Sequence, residues 1–301
     1  MNTTNLFQEE FEQQAIERIK KFYKIAQAMG FEVAVGMSGG KDSQVCYDLC
    51  KRSGIAFKAY FNHCFESNVT LSFIRENYKD VIWHRNNKFG FIQNIYRKHC
   101  GMLPDTRHAY CCEDYKHNRK NINPATILGV RRAESSKRMK HTTFEAKNKT
   151  VIKSNKRLFN DYFEEHCQSE GANSIIQLMP IIDWTDTDVW GYIKKYNLPV
   201  NPEYKTSNRV GCIVCPKANF TSNYIGLMKY PKLIDAFILA REKGGLEKDW
   251  MITSENLDCK DNKPYYICRW LNHSFMPFTK SSRPLYEKVM ERYNEVKIKH
   301  K

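Results

Sequence analysis

At 301 residues, 42% of them hydrophobic and 27% charged, the chain has the proportions of an ordinary globular protein able to bury a full core. No apolar run approaches the ~20 residues of a membrane helix, and the Glu- and Gln-rich start lacks a signal-peptide layout, so no membrane is expected and the cytoplasmic compartment is. A formal net charge of +15 points to an anionic partner, and eleven cysteines in a reducing compartment point to metal or redox chemistry rather than disulfides.

Residues 5–28 place Phe11, Ala15, Ile16, Ile19, Phe22, Tyr23 and Ile25 near helical spacing, which predicts an amphipathic helix ended by Gly30. A short Val-rich run over 31–37 predicts a strand that stops at a Ser-Gly-Gly turn, and 44–52 is again helical. The alternation continues with strands at 56–62, 81–84 and 125–130 and helices at 69–78 and 89–99. Residues 135–157 are rich in Lys, Ser and Thr with little periodicity and are read as a basic insertion, either a mobile loop over the site or only a solvated segment. A strand at 175–182 and helices at 185–196, 230–243 and 285–296 follow. The pattern predicts an α/β fold, a doubly wound parallel sheet with helices on both faces, which binds ligands beyond the carboxyl ends of its strands. Residues 1–200 are expected to form the nucleotide-binding domain, and 201–301 a small irregular or helical subdomain bearing cysteines.

The Ser38-Gly39-Gly40-Lys41-Asp42-Ser43 string lies between the first strand and a helix, the context that makes a glycine-rich turn a phosphate site. Two glycines let the backbone approach, the helix start presents amides, and Lys41 adds a point charge. The Ser38 and Ser43 hydroxyls are donors, and Asp42 is placed to cap the helix or help hold Mg2+. The spacing is not that of a Walker loop, and a plain capping turn is the bland alternative.

The string resembles the PP-loop of the adenine nucleotide alpha hydrolases, which cleave ATP between its alpha and beta phosphates. Two further strings resemble the phosphoadenosine-phosphosulfate reductase family within that superfamily. They are Gly129-Val130-Arg131-Arg132-Ala133-Glu134-Ser135 and Pro180-Ile181-Ile182-Asp183-Trp184-Thr185 with Asp188-Val189-Trp190. The resemblance implies nucleotide contacts at residues 38–43, Gly129, Arg131 and Glu134, and catalytic roles for Lys41, Asp42, Arg131 and Arg132. Either arginine could fork onto phosphate or sulfate oxygens, the bland reading being a surface arginine paired with Glu134. Asp183 and Asp188 flank a helix start and are expected to cap it.

Cys111 and Cys112 are adjacent, and Cys212-Ile213-Val214-Cys215 is a tight hook between Gly211 and Pro216. Soft thiolates select zinc or iron-sulfur clusters. An adjacent pair points its side chains apart and suits a target with several metal corners, which favours a [4Fe-4S] cluster over zinc. The set is similar to the cluster ligands of iron-sulfur members of the same family. Lys116 is a candidate for positive charge near the cluster or the nucleotide. Cys46 and Cys50 are expected in the core, and Cys64, Cys100, Cys167, Cys259 and Cys268 show no ligand spacing.

Two departures shape the functional expectation. The Glu-Cys-Gly-x-His string of the sulfonucleotide reductases is missing, and the phosphate turn that those enzymes tend to degrade is intact. Both point to ATP as substrate. In motifs the chain most resembles the iron-sulfur ATP pyrophosphatase of DNA phosphorothioation systems. The resemblance implies ATP-dependent adenylylation of an acceptor such as DNA or tRNA, with sulfur supplied by a donor such as a cysteine desulfurase. The alternatives are a sulfonucleotide reductase using an external thiol, an ATP sulfurylase-like adenylyltransferase, and a nucleic-acid-binding module with a structural cluster.

Overall fold

The computed structural model describes residues 3–85, 87–105, 108–116, 124–136, 138–147, 149–163, 166–168 and 175–245, with positions 287 and 291. The expected helix at 285–296, the Cys167 side chain, Cys259 and Cys268 lie outside the described residues. The chain divides into two compact units. The first comprises Met1–His63, Ser67–Asn86 and His117–Gly211, the second Cys64–Glu66, Asn87–Lys116 and Cys212–Lys301.

The first unit opens with α1 (Thr3–Ala28), which buries Ala15, Ile19, Phe22, Ile25 and Ala26 along one face, the three-and-four spacing of an amphipathic helix. There follow β1 (Val33–Gly36), α2 (Lys41–Ser53), β2 (Lys58–Asn62), α3 (Asn68–Asn77) and β3 (Ile82–His84). The Ser67 side chain caps α3 by accepting from the Thr70 amide. Next in the chain is α4 (Phe91–Lys98), which belongs to the second unit, and the first resumes with β4 (Ala125–Ile127) and β5 (Phe144–Ala146). It ends with α5 (Lys149–Ser154), α6 (Lys156–Asn160), β6 (His166–Gln168), β7 (Ile176–Leu178) and α7 (Asp186–Lys195).

Among the described residues seven strands pair in the order β3-β2-β1-β4-β7-β5-β6. All pairs are parallel except β5 with β7, so the sheet is mostly rather than wholly parallel. Val35 of β1 stands beside Ile127 of β4, and from these two neighbours the chain continues to opposite sides of the sheet. Their carboxyl ends therefore open at a topological switch point, where such sheets bind ligands. The turn at 38–43 and the loop at 129–135 leave from those two ends.

The insertion at 135–157 differs from its expected form. It contains β5, α5 and the start of α6, because Phe144 packs its buried ring on Phe159 at 4.9 Å and on Phe163 at 5.0 Å. A three-residue strand is too short for alternation to be read from sequence.

The second unit holds α4, a π-helical segment at Cys112–Lys116, α8 (Phe220–Lys229) and α9 (Lys232–Lys243). Phe91, Ile95, Leu227, Ile234 and Phe237 form its core, and Phe65 stacks on Phe91 at 4.2 Å. The division thus falls after Gly211 rather than after residue 200, and the second unit takes in 87–116. The apolar face of α4 finds its partner there, so a linear cut misses it. Among the described residues no helix is long and apolar enough to cross a membrane.

Candidate functional site

In the first unit the turn after β1 is closed by its own side chains. The Ser38 amide donates to Ser43 Oγ at 3.1 Å, the Gly40 amide to Ser38 Oγ at 3.3 Å, and Ser43 Oγ to the Gly40 carbonyl at 2.8 Å. Gly39 takes φ +75°, the left-handed region that a side chain would strain, and its carbonyl accepts from Gln44 Nε2 and Asn201 Nδ2. Gly129 is needed for a different reason. A Cβ there would stand 2.7 Å from the Asp42 carbonyl, so only glycine lets the loop after β4 lie against the start of α2.

Lys41 is a buried lysine at the start of α2. It is 8% exposed; its amide donates to the Tyr204 hydroxyl at 2.9 Å, and its Nζ pairs with Asp186 at 3.1 Å and Asp42 at 3.4 Å. Tyr204 comes from the short 3-10 segment Pro202–Lys205, held edge-on by Trp190. Burial is the main cause that pushes the Tyr204 phenol up to about 12.

Arg131 is buried with every branch of its guanidinium engaged. Nε donates to Asp42 at 2.6 Å, Nη1 to the Trp184 carbonyl at 3.2 Å and Nη2 to Asp186 at 2.8 Å. Arg132 donates to the His141 carbonyl and pairs with Asp183. The two arginines thus clasp protein groups here, and neither pairs its side chain with Glu134, which accepts from the Arg131 amide and pairs with Arg138. Asp183 does not cap α7; it pairs with Arg18 and Arg132, while Thr185 caps and Asp188 closes the capping box. Asp42 and Asp186 are both paired with Lys41 and Arg131. Arg131→Ala is expected to cost about 3 kcal/mol of unfolding free energy, read by urea denaturation, since it leaves the poorly solvated Asp42 carboxylate with the longer Lys41 contact at 3.4 Å.

The cysteines gather in the second unit. Cys112 begins the π-helical segment with Cys111 immediately before it, and Cys212 makes a backbone bridge with Glu66. A hydrogen bond with Cys112 is the chief cause that raises the Cys111 thiol; burial and the nearby Cys112, Cys212 and Cys215 thiols add to it, so all four lie within one electrostatic neighbourhood. The Cys111 contact first, then Lys217 and Lys116 against the cost of burial, bring Cys112 down to about 6. Cys212 is lowered chiefly by a hydrogen bond with Cys64, a thiol the sequence did not single out. Cys64 donates its amide to Glu66 Oε2 at 2.8 Å, and Lys116 Nζ pairs with Glu66 Oε1 at 3.1 Å. Four thiols flanked by Lys116 and Lys217 suit an anionic cluster in donor type and charge. Among the described residues no three His, Cys, Asp or Glu groups converge as a single-ion site does. Cys46 and Cys50 are buried in the first unit's core, as expected.

With turn, clasp and thiols in place, the family comparison is decisive. The family model described as the phosphoadenosine phosphosulfate reductase domain matches residues 32–218, more than half of the chain. The chain belongs to the phosphoadenosine phosphosulfate reductase family. The match takes in the PP-loop turn, the 129–135 loop, the α7 start and all four cysteines of the expected ligand set.

Among its relatives, an uncharacterized protein of Methanocaldococcus jannaschii is 25% identical over 259 residues, 80% of this chain and 55% of that one. Sulfate adenylyltransferase subunit 2 of Rhizobium sp. is 29% identical over 85 residues, 28% of each chain. Adenosine 5'-phosphosulfate reductase of Oceanobacillus iheyensis is 27% identical over 197 residues, 62% of this chain and 72% of that one. A crystal structure of phosphoadenylyl-sulfate reductase from Candida auris with phosphate is 14% identical, with a TM-score of 0.43 over 64% of this chain and 87% of that one. The chain spans 55% and 28% of the first two relatives named.

For a member of this family, the sequence strings place the turn and the 129–135 loop at one site but leave Asp186, Tyr204, Cys64 and Glu66 unremarked. Asp186 was hidden between two better matched positions, and Cys64 stands outside any ligand-like spacing.

Proposed function

We propose that this family member is an ATP pyrophosphatase that adenylylates an acceptor for sulfur transfer. The single observation that carries the reading is the intact turn at the switch point, where the Lys41 amide and Nζ both face oxygen acceptors. Those donors would hold the phosphates while an acceptor oxygen attacks the alpha phosphorus. The bond to the bridging oxygen then breaks and pyrophosphate leaves with the electron pair, its charge met by Lys41. A sulfur nucleophile next displaces AMP from the adenylate. Cys111, Cys112, Cys212 and Cys215 would hold a [4Fe-4S] cluster, which when bound supplies one-electron and sulfur-handling chemistry. The adjacent Cys111-Cys112 pair together with the Cys212-Ile213-Val214-Cys215 hook supports a cluster over a single zinc.

The kinship with adenosine 5'-phosphosulfate reductases favours a second reading, reduction of a sulfonucleotide by an external thiol. Incubation of anaerobically purified protein with ATP labelled at the alpha phosphate separates the two. AMP and pyrophosphate are expected; ADP and orthophosphate would eliminate the proposal, and sulfite released from adenylyl sulfate would establish the second reading instead.

A further inference from the structure

The donors that a phosphate would use at the turn are engaged with two oxygens of the protein. Asp186 Oδ1 lies 3.1 Å from Lys41 Nζ and 2.8 Å from Arg131 Nη2, and the Tyr204 hydroxyl accepts the Lys41 amide. The partners are unequal. The Lys41 and Arg131 side chains are 10% and 2% exposed, whereas that of Asp186 is 64% exposed, on the first turn of α7. The cations are therefore fixed in place, and the carboxylate reaches water by a change of rotamer.

Asp42 is the contrasting case. Its side chain is 15% exposed and closes on Arg131 Nε at 2.6 Å, so it is a permanent counter-ion. Two cations facing two carboxylates are neutral as a group, and with Asp186 turned outward they carry one positive charge. Burial opposes ionisation of Asp186, but Lys41 and Arg131 hold its carboxyl below the usual range.

We propose that Asp186 is the anion-selectivity residue of the turn, its carboxylate standing at Lys41 and Arg131 where a terminal phosphate oxygen of the nucleotide binds. The inference rests on the reading that the turn holds a triphosphate. An orthophosphate or sulfate ion brings to Lys41 the charge that Asp186 withdraws, so the exchange gains little. A nucleotide triphosphate also fills the amides at the start of α2 and displaces both the carboxylate and the Tyr204 hydroxyl. Asp186 thus keeps small anions out of the turn, and its return helps expel pyrophosphate.

Calorimetric titration of the full chain tests this in wild type, Asp186→Asn and Asp186→Ser, both of which suit a helix start. Each variant is expected to bind ATP about five- to ten-fold tighter, the scale of one half-screened ion pair removed from competition. Orthophosphate is expected to compete with ATP in the variants at concentrations that leave wild type unaffected. Unchanged or weaker ATP binding in a variant that melts like wild type overturns the role of Asp186 alone. Failure of wild type to bind ATP overturns the nucleotide reading, and this inference with it.

Discussion

Lys41→Ala is expected to lower ATP turnover by at least about 100-fold, the scale of removing one charge-stabilising donor from a reacting centre. The position of the ammonium is set from three sides, by Asp42, by Asp186 and by the Tyr204 ring 5.9 Å away. The variant is also expected to melt below wild type, because Lys41 is buried and its loss leaves two carboxylates to Arg131 alone. Steady-state release of pyrophosphate and thermal unfolding followed by circular dichroism measure the two effects; full turnover in a folded Lys41→Ala protein would remove the turn from the chemistry.

If the four cysteines hold the proposed cluster, Cys212→Ser is expected to abolish iron binding in protein purified without oxygen. A serine hydroxyl does not ionise near neutral pH, and the surroundings of Cys212 are built for a sulfur anion. The neighbouring Cys64 thiol and then Lys116 favour its charge, against burial and the Glu66 carboxylate 3.8 Å from its sulfur. The substitution is also expected to weaken the second unit, where the strand-like bridge between Glu66 and Cys212 ties the short 64–66 segment to the hook. Cys100→Ser provides the control, since Cys100 is exposed in the same unit. Iron and acid-labile sulfide analysis reads the result, and iron content equal to wild type in Cys212→Ser would contradict the ligand assignment.

The alternating short strands and helices, the glycine turn and the cysteine hook were legible in the residues because each is a local signal. Burial periodicity sets α1 and α2, positive φ demands Gly39, and a strand-to-helix context marks residues 38–43 as a candidate phosphate turn. The arrangement of partners was not local. Asp186 and Tyr204 lie far along the chain from Lys41 and meet it only because β1, β4 and β7 stand side by side in the sheet. The same packing made Arg131 a buried clasp where the motif suggested a phosphate fork, and it drew a strand out of the basic insertion through the rings of Phe144, Phe159 and Phe163. Cys64 joined Cys212 through pairing of the segments that carry them, which no spacing along the chain announces. The sequence by itself determined which backbone turns and donor atoms this protein has, since those depend on neighbouring residues. Which charges face one another was decided only by tertiary structure, because ion pairs form between side chains that the fold, and not the chain order, brings within a few ångströms.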